Sequence, residues 1–72
     1  MPPEYIKQLL KLTRVNGQAV IAATIEVLSR GRSQSDAALI YGVQQAAIAR
    51  LVRRIRELDA IVVAAIALRE PK

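Results

Sequence analysis

The sequence predicts an all-α fold of four to five helices, and three observations support this prediction. The 72-residue chain is rich in alanine, leucine and arginine, which lose little rotamer freedom in a helix. Apolar residues recur three and four positions apart along most of the chain. Glycine and proline occur only at expected helix ends or turns. A chain of this length forms one small domain, residues 1–72, with an aliphatic core because only Tyr5 and Tyr41 are aromatic.

The first two helices follow from apolar stripes and the breaks between them. Pro2 and Pro3 suit the first turn of a helix, where a missing N–H costs nothing. An apolar stripe follows at Tyr5, Ile6, Leu9 and Leu10. A turn at 14–17, which contains Asn-Gly, ends this helix. A second helix is predicted over 18–29, with a stripe at Val20, Ile21, Thr24, Ile25 and Leu28.

The third helix is short and the fourth is long. Ser33 is a candidate N-cap for a helix over 34–41, with Asp36 favourable in its first turn. Gly42 can adopt the left-handed conformation that ends this helix. A fourth helix is predicted over 44–58. Asp59 is a candidate cap for a fifth segment over 60–69, and one continuous helix through both segments is the alternative.

The composition argues against several classes of function. The chain has no cysteine and no histidine, so thiol or imidazole nucleophiles, bases and metal ligands are lacking. We therefore expect neither an enzyme nor a protein with a metal or other cofactor. The longest apolar run has nine residues, against about 20 for a membrane span, and no signal peptide is expected. A cytoplasmic protein without membrane contact is the expectation.

The segment from Gln34 to Arg54 has the pattern of a helix-turn-helix. Ala38 allows the two helices to cross closely, and Gly42 suits the sharp turn. The outer face of the second helix is polar and basic, in a chain with a net charge of +5. Glutamine pairs with adenine and arginine with guanine in the major groove, and alanine can contact a thymine methyl. The predicted base-reading residues are Gln44, Gln45, Ala46, Ala49, Arg50 and Arg53.

A second group of residues is predicted to contact the phosphate backbone of double-stranded DNA. It combines arginines with hydroxyl and amide side chains at the start of the third helix, where free N–H groups also favour anions. These residues are Arg30, Arg32, Ser33, Gln34, Ser35 and Arg54.

Non-functional interpretations of the same features remain open. Ala38 and Gly42 fit many helical hairpins that bind no DNA. The four arginines within 50–56 could form an ordinary solvated face. Tyr41 suits a core position better than a platform for base stacking.

The segment over 31–55, GRSQSDAALIYGVQQAAIARLVRRI, resembles the helix-turn-helix of the KorA/TrfB plasmid repressors. It is also similar to the PapB-type regulators of fimbrial adhesin operons. The resemblance covers roughly 17–66. It implies a dimeric bacterial repressor, associated with the nucleoid, that binds palindromic operators. The outer face of 44–54 would read the major groove.

The tail after position 57 is apolar nearly all round, so it is expected to be buried against something. One interpretation is packing over the first two helices of the same chain. The other is a two-fold homodimer through the C-terminal helix, residues 58–69. The predicted interface residues are Leu58, Ile61, Val62, Ala65, Ile66 and Leu68.

The sequence therefore predicts a sequence-specific, double-stranded DNA-binding transcriptional regulator, most simply a repressor acting as a dimer. The alternative is a small helical protein–protein interaction module, such as an adaptor or antitoxin-like subunit. Salt-sensitive binding to duplex DNA would distinguish the two.

Overall fold

The computed structural model describes residues 1–69, and this part of the chain forms four helices and no strands. They are α1 (Pro3–Leu10), α2 (Gln18–Arg30), α3 (Gln34–Tyr41) and α4 (Gln45–Arg69). The all-α prediction is confirmed. The two C-terminal segments are a single helix of 25 residues rather than two.

One half of the core joins α1 to the middle of α4. Its buried members are all long aliphatic side chains, and partly buried residues of α2 pack around them. They are Ile6, Leu9, Leu10, Leu51, Ile55 and Leu58. Each fully buried side chain of this type contributes about 1.5–3 kcal/mol relative to an exposed one. This cluster therefore fixes the short α1 against the long helix.

The other half of the core joins α2, α3 and the start of α4 through small residues. Ala23 and Ala37 are fully buried, and Ala38 lies beside them with Ile48 and Val52. Alanines at these contacts let the helix backbones approach closely. Thr24, which is also fully buried, donates its hydroxyl to the Val20 carbonyl at 2.8 Å, so the core holds no unsatisfied hydroxyl there.

Asp59 does not cap a separate helix, because α4 runs through it without interruption. Its carboxylate instead accepts a hydrogen bond from the Tyr5 hydroxyl at 2.5 Å, which ties α1 to α4. This hydrogen bond raises the pKa of the Tyr5 phenol above its ordinary value of 10.0, and burial and the Asp59 charge act in the same direction. The two side chains lie 54 positions apart, so helical periodicity could not have paired them.

The long fourth helix gives the protein an elongated shape, with principal extents of 47 × 23 × 18 Å. Residues of α4 up to Val62 contact the core formed with α1 and α2. Beyond that point the helix is exposed on every side that the structure describes. Although α4 is long, no helix within residues 1–69 combines the length and apolar character needed to cross a bilayer.

Candidate nucleic-acid interface

The candidate interface begins at the cap of α3. The Ser33 side chain accepts a hydrogen bond from the Asp36 backbone N–H at 3.1 Å, as predicted. The Ser33 and Ser35 hydroxyl oxygens lie 3.4 Å apart and are both exposed. The start of α3 therefore presents two hydroxyls to solvent, beside the chain that leads in from Arg32.

Gly42 ends α3 in the left-handed conformation, with φ +65°. The backbone N–H groups of Gly42 and Val43 both donate to the Ala38 carbonyl, which satisfies the end of the helix. The chain turns here and enters α4 three residues later. The Gln44 carbonyl accepts from the Ala47 and Ile48 N–H groups, so Gln44 stands at the cap of α4, one position before the helix begins.

The outer face of α4 is basic, and it lies opposite the face that enters the core. Successive helical residues turn by about 100°, which places Arg53 roughly opposite Ile48 and Ile55, both fully buried. Arg50 and Arg53 are exposed, and so are Arg54 and Arg56 on its flanks. Four arginines against Glu57 leave an excess of three positive charges here.

All but one of the predicted base-reading residues are exposed on this face or at the start of α4. Gln44, Gln45 and Ala46 are exposed at the start of α4, and Ala49 is half-buried. The first turn of α4 carries no acidic residue. Nothing there opposes the approach of an anion to the positive end of the helix dipole.

A groove of about 640 Å³ brings the start of α3 together with the outer face of α4. Gln34 lies on the α3 side, and Ala49 and Arg53 lie on the α4 side. Arg56 and Glu57 continue the groove toward the tail. Gln34, which is predicted to contact phosphate, thus shares this groove with Ala49 and Arg53, which are predicted to read bases.

Arg54 belongs to a different side of α4 from the groove. With Arg50 it borders a second depression, whose apolar floor includes Val20 and Leu51. Its guanidinium also lies 3.8 Å from the Glu57 carboxylate, an exposed pair of little energetic weight. Arg54 therefore does not line the groove that Gln34 borders.

Arg30 and Arg32, by contrast, are held together by one carboxylate. Glu26 Oε2 lies 3.3 Å from Arg30 Nε, and Glu26 Oε1 lies 3.2 Å from Arg32 Nε. Glu26 is not among the residues predicted from sequence. Its spacing of four residues from Arg30 is a readable signal for an ion pair on a helix, whereas the pair with Arg32 depends on how the chain turns at Gly31.

The residues predicted for the dimer interface divide into two groups. Leu58 is buried in the core against α1, and Val62 packs half-buried beside it. These two side chains are used within the monomer, because α1 covers this side of α4. The other four residues are exposed: Ile61, Ala65, Ile66 and Leu68.

No family of known proteins, no curated protein and no solved structure matches this chain. Among residues 1–69, no group of acidic side chains is arranged to hold a metal ion.

Proposed function

We propose that this chain is a sequence-specific, double-stranded DNA-binding transcriptional regulator built on a helix-turn-helix formed by α3 and α4. One observation carries the proposal. The face of α4 that leaves the core is lined by arginines, and it meets the capped start of α3 along a continuous groove. A recognition helix needs a polar, basic face that is free to enter the major groove. The helix before it, which contacts the DNA backbone, must lie beside that face.

The chemistry of the two surfaces suits different parts of the duplex. Gln44, Gln45 and Arg50 offer amide and guanidinium groups that pair with base edges, while Arg32 and Ser33 offer donors for phosphate oxygens. Base contacts would set the preferred sequence, and phosphate contacts would supply salt-dependent affinity.

The active form in this proposal is a homodimer through the exposed part of the α4 tail. Ile61 and Ile66 are more than half exposed, and Leu68 is 84% exposed. Large apolar side chains exposed around the end of one helix mark a surface that gains from burial. A two-fold pairing would present two copies of the basic face to a palindromic operator. Occlusion of RNA polymerase from such an operator is the simplest route to repression.

The test is binding of the full chain to duplex DNA. We expect anisotropy titrations with random duplex to show affinity that falls steeply between low and moderate salt. Selection from a random duplex pool should then return a two-fold symmetric site. Binding that is absent at low salt would contradict the proposal.

A second candidate function is a helical protein–protein module, and one further observation favours it. On α3, Leu39 is 82% exposed and Ile40 is 58% exposed, so apolar surface is not confined to the α4 tail. This candidate predicts no salt-sensitive DNA binding, and the same titration therefore separates the two functions.

A further inference from the structure

Within residues 1–69, Glu26 is the acidic residue that pairs with two of the arginines predicted to contact phosphate. Its side chain is only 16% exposed, and its two oxygens contact two different arginines, Arg30 and Arg32. Arg32 is itself partly covered, with 38% of its side chain exposed. The Arg30 side chain is 73% exposed, so its ion pair alone contributes little. The shared carboxylate nevertheless keeps the two guanidinium groups close to one another.

The backbone at the end of α2 makes this arrangement possible. Gly31 has φ +73°, a left-handed conformation that turns the chain back over the last turn of the helix. The N–H groups of Gly31 and Arg32 both donate to the Glu26 carbonyl, the second at 3.4 Å. Glu26 therefore holds Arg32 at two points, by its main chain and by its side chain.

The way the guanidinium groups are held leaves donors for a second acceptor. Both ion pairs use the Nε atom, whereas a guanidinium also carries four N–H donors on its two Nη atoms. Ser33 follows Arg32 directly, and its hydroxyl lies beside that of Ser35. Planar guanidinium donors next to hydroxyls match the oxygens of a phosphodiester.

We propose that Glu26 is a positioning residue, which holds Arg30 and Arg32 as a preformed pair for the phosphodiester backbone of duplex DNA. The inference rests on the proposed function, and it adds a residue that itself touches no DNA. Long side chains that are ordered before binding lose less conformational entropy when they bind. The carboxylate thus strengthens DNA binding despite its negative charge.

The positioning role predicts a change in DNA affinity of the opposite sign to the change expected from net charge alone. Removing an acidic charge raises the net charge from +5 to +6, which by itself strengthens attraction to DNA. If Glu26 positions the arginines, Glu26→Gln weakens binding instead. Glu4→Gln is the matched control, because it removes one acidic charge from an exposed position on α1, outside the candidate interface.

The experiment compares the full chain and its variants for binding to one random duplex across a salt series. We expect Glu26→Gln to bind about fivefold more weakly and Glu4→Gln to bind as tightly as wild type or more tightly. The slope of log affinity against log salt should become shallower by up to about 0.9 for each phosphate that the Glu26→Gln variant no longer neutralises.

A charge-conserving variant separates the loss of positioning from the change in net charge. Glu26→Asp keeps the net charge but is too short to reach both guanidinium groups, so it should also weaken binding. Circular dichroism melts establish that each variant is folded at the assay temperature. Wild-type affinity for Glu26→Asp would overturn the inference.

The outcomes separate this inference from the function on which it rests. If wild type binds DNA and Glu26→Gln binds more tightly, as Glu4→Gln is expected to do, Glu26 merely competes with phosphate. The positioning role is then wrong and the DNA-binding function stands. If wild type shows no salt-dependent DNA binding, both the function and the positioning role are wrong.

Discussion

Gly42 shows how a single residue can be required by conformation alone. Its φ is +65°, and a Cβ built there meets no atom within 4 Å. A side chain would therefore fit in space but strain the backbone. The turn between α3 and α4 depends on this conformation, because the Gly42 and Val43 N–H groups close the end of α3.

We expect Gly42→Ala to lower the free energy of unfolding by about 1–2 kcal/mol, the usual penalty for a left-handed residue that is not glycine. Gly17→Ala is the control, since Gly17 has φ −75° and equally open surroundings. That change should be neutral or stabilising by up to about 1 kcal/mol. Urea denaturation of both variants measures the difference, and equal destabilisation would contradict the conformational explanation.

The Tyr5 hydrogen bond makes the stability of the fold depend on pH in the alkaline range. Hydrogen bonding to Asp59 raises the pKa of the phenol in the folded state, so folding favours the protonated form. The stabilisation from this hydrogen bond is fully present below the ordinary pKa of 10.0 and disappears as pH rises through the higher folded-state pKa.

We expect Tyr5→Phe to lower Tm by roughly 2–5 °C at pH 7, because it removes one hydrogen bond between α1 and α4. The difference from wild type should shrink above about pH 10, where the phenol of the unfolded chain begins to lose its proton while the folded state still holds it. Thermal melts of both proteins across this pH range test the expectation. A Tm difference that stays constant to about pH 11 would show that the phenol proton is not involved.

At the scale of helices, α3 and α4 have different expected roles in the proposed complex. Arg50 lies on the outer face of α4, where it would read a base. Arg32 lies at the approach to α3, where it would contact phosphate. Base contacts affect only the preferred sequence, whereas phosphate contacts affect all sequences equally.

We therefore expect Arg50→Ala to weaken binding to the selected operator by about 1–3 kcal/mol and to change random-duplex affinity little. Arg32→Ala should weaken both and reduce the salt slope by about 0.9. Arg14→Ala removes the same charge from an exposed loop position and serves as the control. Equal weakening on operator and random duplex for Arg50 and Arg32 would contradict this division of roles.

The helices could be predicted from local signals, whereas the tertiary contacts between them could not. Ser33, Gly42 and the apolar stripes determine the bounds of α3 and the faces of α4 through interactions within a few residues. Asp59 resembles a cap in sequence, so the sequence left open a helix break there, and the structure has the alternative, one continuous helix. The true partner of Asp59, Tyr5, is brought to it only by tertiary packing.

The same limit applies to the candidate interface. The exposed arginines of α4 follow from helical spacing, so sequence alone identified them. The role of Glu26 beside Arg32 needs the left-handed turn at Gly31. The sequence left open whether Leu58 and Val62 face a partner chain or pack within the monomer, and the placement of α1 over them shows that they serve the monomer core.

For the whole molecule, the exposed α4 tail bears on how the chain assembles. Ile66 and Leu68 leave large apolar surfaces in water. We expect the double variant Ile66→Glu/Leu68→Glu to be monomeric in sedimentation equilibrium, because burying these charges at an interface is costly. Its helical content should remain, since neither side chain belongs to the core.

Leu39→Glu is the matched control, because Leu39 is as exposed as Leu68 but lies on α3. It should leave the dimer intact. A wild-type chain that sediments as a monomer at all concentrations would contradict the dimer. Dissociation caused by the Leu39 change would locate the interface on α3 instead.

In the proposed dimer, the unbroken course of α4 would set the distance between the paired tails and the DNA-reading segments. Ala49, in the proposed reading segment, and Ala65, in the tail, are sixteen residues apart on one helix, or about 24 Å at 1.5 Å per residue. If two copies cross near Ala65, helix segments of this length separate the reading segments by about 34 Å, one turn of DNA, when the helix axes open to about 90°. A closer angle shortens the separation, and an antiparallel pairing lengthens it to about 48 Å. The half-site spacing of the operator would therefore report the angle at which the two tails meet.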